Sequence, residues 1–277
     1  MGTERADSTN EPPGWMVGSP SQPPLTVCIG GSVLEFVLMI AAHVAGIGAL
    51  ILLGAGLGGY LDLHLSASTA LGWDAALSLL FFAQHSGMVR RPVKAWMARW
   101  LPSRDLGALY ALASGAVLAA VVILWQRVGV FRPLHGPLHW AGLAIASVAM
   151  VLFVWGLASL RSVDFFGARP ILARRRGVAE PPAAQLVVRG PYRWVRHPLY
   201  LATLLLIWSP MVFSADRLLF DLLWSCWIVI GTYLEELDLR VELGEPYAAY
   251  CRRVPMLLPW RRPARHARLA GTHRPLL

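Results

Sequence analysis

"VLEFVLMIAAHVAGIGALILLGAGL", Val33 to Leu57, is the stretch that decides the fold. It carries one Glu and one His and is otherwise apolar residues and glycine. A helix needs about 20 mostly apolar residues to cross the hydrocarbon core of a bilayer. Similar runs recur at Ala70–Met88 (with one Asp), Leu106–Trp125, Leu138–Leu160 and Leu218–Leu234, and a shorter one, Leu199–Phe213, follows Pro198. The sequence therefore predicts an all-α fold: a polytopic membrane helix bundle of about six transmembrane helices in one domain. Composition agrees. Mean hydropathy is +0.52 and only 15% of the 277 residues are charged, against about 25% in soluble domains.

The net charge of +9 raises the question of nucleic acid. Its distribution answers it. Of the 25 Lys and Arg residues, 22 fall in the N-terminal tail, the 2–3 and 4–5 loops and the C-terminal segment. Only Arg127, Arg132 and Arg217 fall in the connections on the other side. That alternation predicts six spans with both termini cytoplasmic. The basic excess then serves topology and attraction to the anionic lipid bilayer, not nucleic acid. Residues 1–32, rich in Ser, Pro, Gly and Thr, predict a disordered tail, and 261–277 a basic one. The membrane domain between them is 33–260. Cys28, Cys226 and Cys251 have no metal-site or CxxC spacing. His135 and His139 are separated by Gly136-Pro137, which breaks a regular helix, so no metal site is expected there. Trp73, Trp100, Trp125, Trp140 and Trp194 lie near span ends, where an aromatic belt is expected.

Two segments crowd polar groups against a span. In "RGPYRWVRHPLYLATLLLIW", Arg189 to Trp208, Pro198 suits the first turn of a helix, which places His197 at its N-cap. A helix N-terminus offers free N–H groups and partial positive charge. With Arg193 and Arg196 beside it, this is a candidate anion site, and Tyr192 and Tyr200 add aromatic faces with hydroxyls. Arg189 and Arg193 also suit the plain task of holding a loop. In "GTYLEELDLRVELGEPYAAYCRRVPMLLPW", Gly231 to Trp260, Glu235 and Glu236 follow a span directly. Neighbouring carboxylates on a helix point about 100° apart, so one can face a cation while the other pairs with an arginine. Gly244 is placed to stop the helix, and Tyr247 and Tyr250 stand three apart beyond it. An anion site, carboxylates and aromatic walls suit a ligand with a carboxylate, an ammonium, an adenine and a sulfonium. S-adenosylmethionine has all four.

At these residues the sequence resembles the integral membrane methyltransferases that include isoprenylcysteine carboxyl methyltransferase and the phospholipid methyltransferases. The match is Arg-His-Pro-x-Tyr at Arg196–Tyr200, then Glu235-Glu236, Leu239, Gly244, Tyr247, Tyr250 and Val254-Pro255, within about residues 185–260. The resemblance implies a C-terminal catalytic core with a cytoplasmic cofactor pocket. It assigns His197, Tyr200, Glu235 and Glu236 to S-adenosylmethionine, with Tyr192, Tyr247 and Tyr250 as further candidates.

"LLFFAQHSGMVRRPVKAW", Leu79 to Trp96, and "SVDFFGARPI", Ser162 to Ile171, resemble the bacterial branch that methylates small thiols. That implies an enzyme of the bacterial inner membrane acting on a small thiol or other lipophilic substrate. His85, with Gln84 and Arg91 nearby, is the candidate for placing or deprotonating the thiol; Arg196 and Glu236 complete the candidate catalytic set. Three alternatives stand beside the thiol reading. They are a carboxyl methyltransferase of prenylated cysteine, a phospholipid N-methyltransferase, and a non-catalytic membrane protein linked to nitric oxide or nitrite reduction.

Overall fold

The computed structural model describes residues 29–129, 136–160, 164, 166–176, 186, 188–210 and 213–264. Among them the fold is all-α, with no strand. The helices are α1 Ile29–Ala55, α2 Ala67–Met88, α3 Arg91–Met97, α4 Leu106–Leu124, α5 Pro137–Ser159, α6 Ala168–Arg175, α7 Pro198–Trp208, α8 Ala215–Leu243 and α9 Glu245–Arg253. In the bundle α1 packs on α4, α4 on α2, α2 on α8, α8 on α7 and α7 on α5. Large apolar side chains such as Leu34, Val44 and Ile51 of α1 point outward, as a lipid-facing surface requires.

Of the six expected spans, four match helices long and apolar enough to cross a membrane: Val33–Ala55, Ser103–Leu124, Pro137–Ser159 and Ala215–Leu243. α7 has 11 residues, about 16 Å of helix, against about 30 Å of hydrocarbon. It ends at Ser209-Pro210. α2 has 22 residues but carries Asp74, Gln84 and His85, which dilute its apolar run. α8 is longer than the predicted Leu218–Leu234. Its 29 residues make about 43 Å of helix. Glu235 and Glu236 therefore lie inside a continuous helix and not beyond its end. The chain is helical from Ile29, so the last four residues assigned to the N-terminal tail belong to α1; the rest of that tail, His135 and most of the basic C-terminal tail lie outside the described residues.

Small residues bring the helices close. A Cβ on Gly115 of α4 would lie 2.6 Å from the Ala45 backbone of α1, and one on Gly156 of α5 would lie 2.7 Å from Leu199 of α7. In lipid, such close approach supplies much of the attraction between helices. The one carboxylate in the first span, Glu35, is 6% exposed. Arg104 donates to its Oε1 from Nε at 3.0 Å and Nη2 at 2.7 Å.

The α2–α8 seam is aromatic. Phe81 stacks on Trp224 at 5.0 Å and Phe82 on Trp227 at 4.8 Å between ring centroids. Two indole N–H groups cross the seam: Trp224 donates to Ser78 Oγ (3.2 Å) and Trp227 to Ser86 Oγ (3.0 Å). Trp125 is fully buried against Phe220 and so belongs to the core, not to an interfacial belt. Trp100 and Trp140 are exposed, as a belt requires.

Candidate active site

The aromatic seam fixes the register of α2 against α8. Trp227, Ile228, Gly231, Thr232 and Glu235 recur at three- and four-residue intervals along one stripe of α8. The stripe faces a cavity of about 330 Å³, within the usual range of small-molecule sites, ~300–1,000 Å³. His85 of α2, Tyr110 of α4 and Tyr200 of α7 complete its walls. Arg90 and Asp238 line it too and pair at 3.1 Å, joining the end of α2 to α8. A Cβ added to Gly231 would meet nothing within 4 Å, so this glycine leaves the cavity wall open.

Glu235 and Glu236 diverge as their offset on the helix requires. Glu235 lines the cavity with its side chain 42% exposed. Its Oε2 accepts one hydroxyl, that of Tyr200, at 2.7 Å. Glu236 is 3% exposed and faces away from that stripe. Arg196 donates to it twice, Nε to Oε1 at 2.7 Å and Nη2 to Oε2 at 2.8 Å. His197 Nε2 lies 2.7 Å from Oε1, and Tyr247 donates its hydroxyl to the same oxygen at 2.9 Å. The Cys251 thiol lies 3.6 Å from Oε2. Because a carboxylate only accepts, the His197 proton on this side is on Nε2.

This hub joins three elements. Arg196 also donates to the Val254 carbonyl at 2.6 Å. The backbone N–H groups of Arg196 and His197 bond to the carbonyls of Pro255 and Met256. His197 caps α7 as expected, with Pro198 following, and its ring stacks on Tyr200 at 5.5 Å and 11°. Gly244 ends α8 at φ +59°, where a side chain would be strained, and lets α9 fold back. α9 then brings Tyr247 to Glu236, and the Tyr250 hydroxyl to the Tyr192 carbonyl at 2.6 Å. Burial opposes the charge on Arg196, but the Glu236 carboxylate outweighs it and lifts the guanidinium above its ordinary value. Burial, then the bond to Glu236, pushes the Tyr247 hydroxyl up as well.

Of the residues singled out in the sequence, His85, Tyr200 and Glu235 meet around the 330 Å³ cavity. Arg196, His197, Glu236 and Tyr247 form the buried hub behind it, and Tyr192 and Tyr250 pack beside that hub. Arg189 and Arg193 hold backbone, donating to the carbonyls of Ser159 (2.7 Å) and Ala264 (2.6 Å). His85 sits among rings: Phe81 at 5.1 Å, Tyr110 at 5.1 Å and Trp227 at 5.3 Å. Its Nε2 lies 2.8 Å from the Tyr110 hydroxyl and its Nδ1 lies 3.2 Å from Ser114 Oγ. The sequence did not point to Tyr110, Trp227 or Gly231. The three-residue step from Trp224 to Trp227 to Ile230-Gly231 before the paired glutamates was the available signal for the last two. Tyr110 had none.

No protein-family model and no solved structure matches the chain. Among curated proteins it is similar to methanethiol S-methyltransferase of a Pseudomonas species, 37% identical over 68% of this chain and 73% of that protein. It is also similar to methanethiol S-methyltransferase 2 of Bradyrhizobium diazoefficiens, 35% identical over 66% and 71%. A more distant relative is Nurim of Sus scrofa, 28% identical over 61% and 68%.

Proposed function

The chain belongs to the family of the methanethiol S-methyltransferases, a group of integral membrane methyltransferases, and we propose that it S-methylates methanethiol to dimethyl sulfide with S-adenosylmethionine as donor. The supporting observation is one cavity that joins His85, from the segment resembling the thiol branch, to Tyr200 and Glu235, from the two C-terminal motifs. The donor set suits that cofactor. Glu235 retains acceptor capacity beyond its single hydroxyl partner, Tyr200 and Trp227 make the wall beside it aromatic, and the open side of Gly231 leaves room. The cofactor would supply an electrophilic methyl group on a sulfonium, which leaves as a neutral thioether when the acceptor sulfur takes the methyl.

The chain's own residues then have three tasks. Glu235 and Tyr200, which line the cavity, would hold the cofactor. Glu236 acts through Arg196 and His197: it holds both in place and so fixes Tyr200, which stacks on His197. This makes Glu236 and Arg196 positioning residues. His85 receives the thiol proton. A small thiol with a pKa at or above the roughly 8.5 of cysteine is mostly protonated at neutral pH, and the thiolate is the nucleophile. The aromatic walls keep water from competing. The site opens at the cytoplasmic face of a bacterial inner membrane, with both termini on that side. The test is a membrane-fraction assay with methanethiol and S-adenosylmethionine, read as volatile dimethyl sulfide. Cofactor binding without product from any small thiol would overturn the thiol assignment.

A further inference from the structure

A second cavity, of about 520 Å³, lies next to the first. Its walls come from the end of α2, from α3 and from the start of α4, and are mostly apolar: Met88, Val89, Met97 and Leu106 among them, with Lys94 as the charged group. Val89 and Tyr110 line both cavities. The Tyr110 ring is tied in place by the same residue that would meet the thiol, since its hydroxyl lies 2.8 Å from His85 Nε2. We propose that Tyr110 is the specificity-determining wall that limits the acceptor to short thiols, with the second cavity as the space into which a longer alkyl chain would run if the wall were removed. This rests on the thiol reading above. The chemistry is simple. Methanethiol has a single carbon and needs no second cavity, whereas each methylene of a longer thiol buried there would contribute about fourfold in affinity. With the ring in place a chain extending from a sulfur beside His85 meets Tyr110 first.

The experiment compares methanethiol with 1-hexanethiol as competing acceptors in the wild type, Tyr110→Ala and Tyr110→Phe. The wild type is expected to prefer methanethiol. Tyr110→Ala should raise the relative kcat/KM for 1-hexanethiol at least tenfold. Tyr110→Phe keeps the ring but frees it from His85, and should relax the preference less. A readout without turnover accompanies this: hexyl methyl sulfide should raise the unfolding midpoint of Tyr110→Ala above any shift it causes in the wild type. Val89→Ala opens the same wall from the other side if Tyr110→Ala does not fold. A folded, cofactor-binding Tyr110→Ala or Val89→Ala with the wild-type acceptor ratio and no sulfide-dependent shift overturns the proposal. So does a wild type that takes 1-hexanethiol as readily as methanethiol. A wild type that turns over no thiol refutes the function instead; the sulfide-dependent shift still decides the wall.

Discussion

Glu235 and Glu236 are neighbours in the chain with opposite surroundings. Glu236 is buried and receives two bonds from Arg196, one from His197 and one from Tyr247. Glu235 faces the cavity and accepts one hydroxyl. A buried carboxylate with its lone pairs filled has little left to offer a ligand, and its value lies in what it holds still. A carboxylate at a cavity wall with acceptor sites to spare is the one a cationic or hydroxyl-bearing ligand can use. The same contrast separates the hub, which sets backbone geometry at the mouth of α7, from the cavity, where the chemistry is proposed.

The most severe way to break this contrast is Glu236→Ala. Removing one partner of a buried ion pair leaves Arg196 charged and uncompensated, a loss of about 3–5 kcal/mol. Thermal unfolding in detergent should show a large drop in midpoint, and cofactor binding should fail with it. His85→Ala, on the cavity side, should behave in the reverse way. Turnover should fall by about 100-fold or more, the range for a lost general base, while cofactor affinity holds and the unfolding midpoint drops less than in Glu236→Ala. Gly231→Val would fill the open wall of the cavity and should weaken cofactor binding in equilibrium titrations, with the fold retained. Tyr247→Phe is the mildest. It removes one of the five hydrogen bonds that reach Glu236 and should lower stability by about 1 kcal/mol, with turnover close to wild type.

Much of this was legible in sequence for a physical reason. The apolar runs and their lengths fix the membrane helices, because lipid admits little else. Pro198 marks a helix start because its ring fixes φ and it lacks an N–H, and Gly244 a helix stop because glycine takes a positive φ without strain. The offset of Glu235 from Glu236 follows from the helix itself. The limits of α7 and α8 were less legible. Polar residues after Leu234 look like the end of a span, yet "EELDLRVEL" is mostly good helix formers and α8 continues to Leu243. Asp74 and His85 lower the apolarity of α2, so composition alone does not settle whether it spans. Tyr110 was invisible because its contact with His85 depends on how α4 packs against α2, and nothing in "LGALYALASG" marks one face as special. Trp125 looked like a belt residue because distance from a span end says nothing about which way a side chain turns.

The cavity-facing carboxylate, not the buried one, is the one proposed to meet the cofactor. Equilibrium binding of labelled S-adenosylmethionine to purified Glu235→Gln, beside the wild type and with unfolding midpoints measured in parallel, tests it most directly. Affinity should fall about tenfold or more, the scale of a hydrogen bond to a charged group, with the midpoint near that of the wild type. Wild-type affinity in a folded Glu235→Gln protein would contradict it.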